Sequence, residues 1–172
     1  MYENEAVRTV SGPGDHEGRG GHDGYRPPIA EMHRIARDRL SEQDQRYTSA
    51  RRTIVETLAG IDSPVTLPEL LERSPGLAQS SAYRNLALME QAGVVRRLVH
   101  SADHAHYELA EDLTEHHHHL ICLSCGSIRD ITLTADFERS LDSACGELTA
   151  AEGFDLAHHA LDLYGYCAAC GR

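Results

Sequence analysis

Hydrophobic residues in the first half of the chain recur at the three- and four-residue steps of amphipathic helices. In residues 29–43 this apolar face consists of Ile29, Met32, Ala36 and Leu40. Three further segments show similar spacing and predict three more helices: 47–58, 66–74 and 80–93. The first half of the chain is therefore predicted to be mainly helical.

Polar residues beside these segments predict where the helices begin. Thr48 or Ser49 is suited to cap the second helix, because its hydroxyl oxygen accepts a hydrogen bond from an otherwise unpaired backbone N–H group. Thr66 is suited to cap the third helix for the same reason. Ser80 or Ser81 is expected to open the fourth.

Two β-rich runs follow the fourth helix, at 94–99 and 104–109, with the turn-like HSAD between them. Three helices followed by a β-hairpin is the order of elements in a winged helix-turn-helix module. We therefore predict such a DNA-binding domain over residues 29–107. Residues 1–28 are rich in Gly, His and charge and are predicted to form a disordered arm.

The second half alternates short apolar runs with one helical segment. Residues 119–123 and 127–131 predict short strands, 134–153 a helix and 154–167 a long strand. This β-β-α-β order buries its apolar faces best against a second copy, which predicts a homodimer. The whole chain is thus predicted to be α+β, with an N-terminal winged helix-turn-helix domain and a C-terminal α/β dimerisation domain over residues 108–172.

Four of the five cysteines form two CxxC pairs, Cys122 with Cys125 and Cys167 with Cys170. Two such pairs supply the four thiolates of a tetrahedral zinc site. Disulfides are the alternative, but nothing resembling a signal peptide opens the chain, which indicates a reducing cytoplasm. No run reaches the ~20 apolar residues of a membrane span. Cys145 has no CxxC partner and is expected to be a buried helix residue.

A run of four histidines leads directly into the predicted strand at residues 119–123. Successive side chains of a strand point to opposite faces. His116 and His118 are therefore expected on one face, and His117 and His119 on the other. One short segment thus has the ligands for two metal sites besides the thiolate site.

The charge of the chain is unevenly distributed. The formal net charge is −11, yet residues 46–99 carry seven arginines and five acids, whereas residues 108–172 carry three arginines and twelve acids. The acidity therefore lies where bound cations would offset it, and the helical half is free to meet DNA phosphates.

The fourth helix is the predicted recognition helix. Its first two turns carry Ser80, Ser81, Tyr83 and Arg84, where a helix in a major groove presents its side chains. Arginines of the second helix and the hairpin are candidate phosphate contacts: Arg51, Arg52, Arg96 and Arg97.

Several motifs together resemble the ferric uptake regulator family: YTSARR, SSAYRNLALMEQAGVV, YEL, HHHHLICLSCG and HHALDLYGYCAAC. The resemblance runs from about Tyr47 to Arg172. It implies a dimeric, metal-dependent transcriptional regulator of the repressor type, whose partner is a palindromic DNA operator. It also implies one structural Zn(II) and a second, regulatory divalent metal, which on these ligands is Fe, Zn, Ni or Mn.

The resemblance implies three sets of ligands. The ligands of the structural zinc are Cys122, Cys125, Cys167 and Cys170. A site inside the dimerisation domain falls on His116, His118, Glu138 and His159, with His158 as the alternative to its neighbour. The ligands of a sensory site at the hinge between domains are Glu108, His117 and His119. The candidates for its fourth ligand are His33, His100, His104 and His106.

Two other functions remain as alternatives. One is a peroxide sensor of the same family, in which a hinge iron oxidises a ligating histidine. The other is a zinc enzyme, which keeps one coordination position open for water beside a carboxylate. The chain has no HExxH, and its CxxC pairs lack the HxE partner of zinc deaminases. We therefore expect a regulator and not an enzyme.

Overall fold

The helices predicted from hydrophobic spacing are present. A computed structural model of the chain describes residues 26–99 and 105–171. Its first part contains four helices: α1 (Ile29–Glu42), α2 (Ser49–Ala59), α3 (Leu67–Arg73) and α4 (Gln79–Gln91). No helix among the described residues is long and apolar enough to cross a bilayer. The predicted disordered arm lies outside the described residues, apart from positions 26–28.

Side-chain caps explain two of the helix starts. The Thr48 hydroxyl oxygen accepts a hydrogen bond from the backbone N–H of Arg51 and begins α2. Thr66 and Glu69 form a reciprocal capping box at the start of α3. The fourth start differs from the prediction, because α4 begins at Gln79 without a side-chain cap, and both serines lie inside its first turn.

The predicted hairpin is confirmed and has a third strand. The strands are β1 (Val65–Thr66), β2 (Val95–Leu98) and β3 (His106–Leu109), in the order β1-β3-β2 with antiparallel pairing. Two residues are too few to show an alternating pattern, so the sequence did not predict β1. The turn of the hairpin, including His100 and His104, lies outside the described residues.

One hydrophobic core joins α1–α4 to this sheet. Ile54, Leu70, Leu86 and Met89 are almost completely buried in it. Leu113 joins the same core from a short 3-10 helix, Glu111–Leu113, that follows β3. The packing of the winged-helix part therefore continues past residue 107, where the sequence predicts the domain to end.

A second sheet and one helix make up the C-terminal part. The strands are β4 (His118–Cys122), β5 (Ile128–Ile131) and β6 (Asp162–Gly165), and α5 (Ala135–Ala151) connects β5 to β6. The sheet order is β5-β4-β6, with β4 antiparallel to β5 and parallel to β6. The β-β-α-β order is confirmed.

The last strand is much shorter than predicted. Of residues 154–167, only Asp162–Gly165 are in a strand. The parallel register pairs His119 with Asp162, so β4, which begins at His118, offers almost no partner to the residues before β6. Segment 154–161 has no neighbouring strand among the described residues and is therefore not part of the sheet.

The side chain of Arg51 is part of the protein interior and is only 6% exposed. Its guanidinium donates to Asn85 Oδ1 of α4 at 3.0 Å, to the Arg46 carbonyl at 2.6 Å and to Gln45 Oε1 at 3.1 Å. The bond to Asn85 holds α2 against α4, and the other two hold the segment before α2. The expectation that Arg51 contacts DNA phosphate is therefore corrected, because its donors are used inside the protein.

The neighbouring arginines offer a matched test of this structural role. Arg51→Ala removes three hydrogen bonds from a buried charged group, so we expect it to lower the free energy of unfolding by about 2–4 kcal/mol. Arg52 is half exposed and paired with Glu56, so Arg52→Ala should change it by no more than about 0.5 kcal/mol. Urea unfolding followed by circular dichroism measures both. Equal effects would contradict the assignment.

Candidate metal centres

The four paired cysteines converge at one end of the second sheet, and we call them the thiolate cluster. Cys122 ends β4, Cys125 lies in the turn to β5, and the parallel register of β4 with β6 brings the chain after β6 beside them. All four Sγ atoms lie within 4.8 Å of one another, with Cys125 and Cys167 at 3.9 Å. All five cysteines of the chain are described, and none forms a disulfide. Sulfurs on a tetrahedral zinc are about 3.8 Å apart, so the cluster fits that ion.

The protein backbone already favours a thiolate at Cys122. The N–H of Cys167 donates to Cys122 Sγ at 3.3 Å, and this bond with others from nearby amides lowers the pKa of Cys122 to about 6. At Cys170 a hydrogen bond from Ser124 acts to lower the pKa, but the neighbouring cysteines outweigh it and raise the pKa to about 12. Four thiolates at this distance therefore need a cation to be held together.

Four further side chains form what we call the buried cluster: His116, His118, Glu138 and His159. Glu138 Oε2 lies 3.6 Å from His116 Nε2 and 3.5 Å from His159 Nε2. Nitrogen and oxygen ligands of one tetrahedral ion are about 3.4 Å apart, so these distances suit a shared cation. His158 is exposed and outside the cluster. The structure thus selects His159 from the neighbouring pair.

His118 has a different arrangement of hydrogen bonds. Its Nδ1 accepts from the backbone N–H of Leu161 at 3.2 Å, and its Nε2 lies 3.0 Å from Glu138 Oε1. In a neutral ring the proton is then on Nε2 and is donated to Glu138. Coordination through Nε2 would move that proton to Nδ1 and break the bond to Leu161, so His118 is the member that must rearrange most.

The other face of the histidine run contributes to a third group, the hinge cluster: Glu108, His117, His119 and Asp130. Glu108 Oε2 lies 3.3 Å from His117 Nε2 and 3.2 Å from His119 Nε2. Asp130 is 4.0 Å from the former ring and 3.9 Å from the latter. The cluster joins β3 of the first sheet to β4 and β5 of the second.

Asp130 is the member that sequence reasoning missed. The antiparallel register of β4 with β5 places it directly opposite His119. The short CxxC turn between the two strands indicates this pairing, whereas the fourth ligand was expected among the histidines. Of those, His33 contacts Tyr47 and Glu56 and His106 lies outside the cluster.

Buried charges in the hinge cluster neutralise one another. Burial raises the pKa of Glu108, but hydrogen bonds from His117 and His119 outweigh it and bring the value to about 2. The hydrogen bond to Glu108 raises the pKa of His117 to about 9. Burial raises the pKa of Asp130 to about 6. Arg96 Nη1 also lies 3.6 Å from Glu108 Oε1. The protons on the histidines and the charge of Arg96 thus supply positive charge that a bound cation would otherwise supply.

Contacts behind the hinge histidines direct their Nε2 atoms inward. His119 Nδ1 lies 3.1 Å from Asp162 Oδ1, and His117 Nδ1 lies 2.7 Å from the Glu115 carbonyl. Such acceptors fix the proton on Nδ1 and leave Nε2 to a metal. The donor set of the hinge cluster therefore fits a divalent cation.

The predicted recognition helix exposes its polar side. Ser80, Ser81, Tyr83 and Arg84 are all exposed at the start of α4, and Tyr83 is 61% exposed. Ala82, Leu86 and Met89 on the opposite side enter the core. Arg97 on β2 is exposed as well. The exposed side of α4 therefore presents hydroxyl, aromatic and guanidinium groups to the solvent.

Comparisons with known proteins agree with this arrangement. The profile of the ferric uptake regulator family matches residues 42–164. The ferric uptake regulation protein of Synechococcus elongatus is 34% identical over 140 residues, which cover 77% of this chain and 90% of that protein. The peroxide operon regulator of Bacillus subtilis is 26% identical over 141 residues, which cover 80% and 92% respectively.

A solved structure supports the same conclusion. The ferric uptake regulator of Vibrio cholerae superposes with a TM-score of 0.57 at 26% identity, covering 76% of this chain and 98% of that one. The matched profile spans most of the chain and includes the histidine run and the first CxxC pair. The chain belongs to the ferric uptake regulator family of metal-dependent transcription regulators.

Proposed function

We propose that this protein is a dimeric repressor that binds a palindromic DNA operator when a divalent cation occupies the hinge cluster. The observation that carries the proposal is the origin of the cluster's ligands. Glu108 comes from the sheet of the winged-helix part, whereas His117, His119 and Asp130 come from the second sheet. One ion bound to all four would fix the orientation of the DNA-binding part relative to the rest.

Such an ion acts by shifting a population. It favours the fixed arrangement only by as much as it binds that arrangement better. A change from mostly open to mostly closed needs a preference of about 10⁴-fold, or about 5.5 kcal/mol, which a site with four ligands is able to supply. By reciprocity, operator DNA must tighten metal binding by the factor by which metal tightens DNA binding.

The orientation matters because a dimer must place two recognition helices about 34 Å apart to read a palindrome. The apolar surface of the C-terminal part supports a dimer, since Leu120, Leu148, Phe154 and Leu163 are all exposed by more than 40%. A second copy is the proposed cover. We assign residues 29–107 to DNA binding and residues 108–172 to metal binding and dimerisation, although Leu109 and Leu113 of the latter range pack into the core of the winged-helix part. We place the protein in the cytoplasm, together with its operator.

The three clusters have different proposed roles. The thiolate cluster would hold a structural Zn(II), because four sulfurs leave no open position. The hinge cluster would hold the regulatory ion, and its nitrogen and oxygen ligands suit Fe, Zn, Ni or Mn. Titrating chelator-treated protein with each metal while measuring operator binding identifies the ion. The proposed role of the hinge cluster is regulatory, and none of its residues is proposed to be catalytic.

A peroxide sensor is the second candidate, favoured by the similarity to the peroxide operon regulator of Bacillus subtilis. In that case an iron in the hinge cluster would promote oxidation of His117 or His119. Peroxide treatment of the iron-loaded protein would then abolish operator binding and add the mass of oxygen to one of these residues.

We expect Cys122→Ser to remove one zinc per chain and to unfold or monomerise the protein, because a structural zinc contributes directly to folding. Cys145→Ser is the control, since Cys145 lies on α5 outside the thiolate cluster. Metal analysis and size-exclusion chromatography measure both variants. A Cys122→Ser protein that stays a folded, metal-responsive dimer would refute the structural role.

Arg84→Ala should weaken operator binding by about 1–3 kcal/mol if Arg84 contacts a base edge through two hydrogen bonds. If Arg84 contacts only phosphate, binding should weaken evenly on operator and unrelated DNA. Arg139→Ala removes the same charge from an exposed site on α5 and should have little effect. Fluorescence anisotropy with both DNAs measures the affinities, and unchanged binding by Arg84→Ala would exclude both roles.

The double variant His117→Ala and His119→Ala should keep its zinc and its dimeric state but lose metal-dependent operator binding, because the hinge cluster loses both imidazoles. His158→Ala, next to a ligand yet exposed, should behave like the unaltered protein. Operator binding with and without added metal distinguishes them. A normal response of the double variant would place the sensor elsewhere, with the buried cluster first.

A further inference from the structure

The 3-10 helix Glu111–Leu113 makes contacts in three directions. Glu111 forms a hydrogen bond with His116 of the buried cluster. Asp112 forms an ion pair with Arg39 of α1. Leu113 is fully buried in the core of the winged-helix part. Three consecutive residues therefore connect a metal cluster of the C-terminal part to the DNA-binding part.

The contact of Glu111 is with the rear nitrogen of His116. Glu111 Oε1 pairs with Nδ1, while Nε2 of the same ring faces Glu138 Oε2 at 3.6 Å. A carboxylate in this position keeps the proton on Nδ1, orients the ring and makes Nε2 a better ligand. His159 has a similar contact, since its Nδ1 lies 3.1 Å from Asp142 Oδ1.

The contact of Asp112 continues toward the recognition helix. Arg39 Nη1 lies 3.2 Å from Asp112 Oδ1 and also donates to the carbonyl of Gly93, just after α4. Gln43, which follows directly after α1, donates from Nε2 to the Gln91 carbonyl at the end of α4, at 2.8 Å. Helix α1 therefore holds both the 3-10 helix and the C-terminal end of α4.

We propose that Glu111 is a positioning residue for the buried cluster and that the 3-10 helix conveys metal occupancy of that cluster to α1 and α4. This inference rests on the proposed function and adds a second metal input besides the hinge cluster. A cation bound by His116 fixes the ring, the ring fixes Glu111, and Glu111 restricts the segment that Asp112 and Leu113 anchor in the DNA-binding part.

The first measurement is the Co(II) affinity of the buried cluster. It uses the His117→Ala and His119→Ala double variant with zinc in the thiolate cluster, so that the hinge cluster does not contribute. Adding Glu111→Ala should weaken Co(II) binding about 10- to 100-fold, the usual effect of losing such a partner. Glu111→Gln should restore most of the affinity, because its amide oxygen still accepts from Nδ1.

Glu115→Ala is the matched control. It removes the same charge from an exposed position four residues later, and the contact of Glu115 with His117 uses its backbone carbonyl. Unchanged affinity in Glu111→Ala, or an equal loss in Glu115→Ala, would overturn the positioning role and leave the proposed function intact. If the double variant binds no Co(II) beyond its zinc site, the buried cluster is no metal site, and both this inference and its assignment as a ligand set fall.

The second measurement is hydrogen exchange at saturating Co(II). In the double variant, Co(II) should slow exchange of the Leu113 N–H, which bonds to the Ala110 carbonyl at 2.8 Å, and of amides in α1. With Glu111→Ala added, both effects should disappear although Co(II) is bound. With Arg39→Ala instead, protection should remain at Leu113 and vanish in α1. Protection of α1 that is independent of Glu111 would overturn the coupling.

Discussion

Strand β4 lies in the centre of the second sheet, and its two neighbours determine where each metal cluster forms. The antiparallel pairing with β5 sets Asp130 opposite His119, and the parallel pairing with β6 sets Asp162 beside the same histidine. At its far end β4 delivers Cys122 to the thiolate cluster. A shift of one residue in either register would send each side chain to the opposite face and dismantle all three clusters. The register of β4 with its two neighbours therefore determines both the second sheet and the positions of the metal clusters.

Burial makes this arrangement demanding. His118 and His119 are 1% exposed and Glu108 is 7% exposed, so each charge or polar group must be satisfied by another protein group or by a cation. At the hinge, hydrogen bonds from two histidines lower the pKa of Glu108 and favour its charged form. A divalent ion that binds the hinge cluster would displace these protons, so its affinity there would depend on pH.

Much of the fold was predictable because its determinants are local. The three- and four-residue spacing of apolar side chains predicted α1 to α4, and Thr48 and Thr66 marked two helix starts as the structure has them. Alternation on an extended segment separated His116 and His118 from His117 and His119, which the structure places in two different clusters. These inferences needed only the geometry of a helix or a strand. The spacing within each CxxC pair, which predicted the thiolate cluster, is also a local feature of the sequence.

Other features depended on contacts between distant parts of the chain. The sequence by itself determined the order of the longer helices and strands and the separation of the histidine run into two faces. Only the tertiary structure decided that Asp130 completes the hinge cluster and that Arg51 is buried against α4 instead of facing DNA. It also decided that β6 is four residues long and that Glu111 stands behind His116. The physical reason is that register, burial and the second partner of a side chain are set by residues far away in sequence, which no local spacing records.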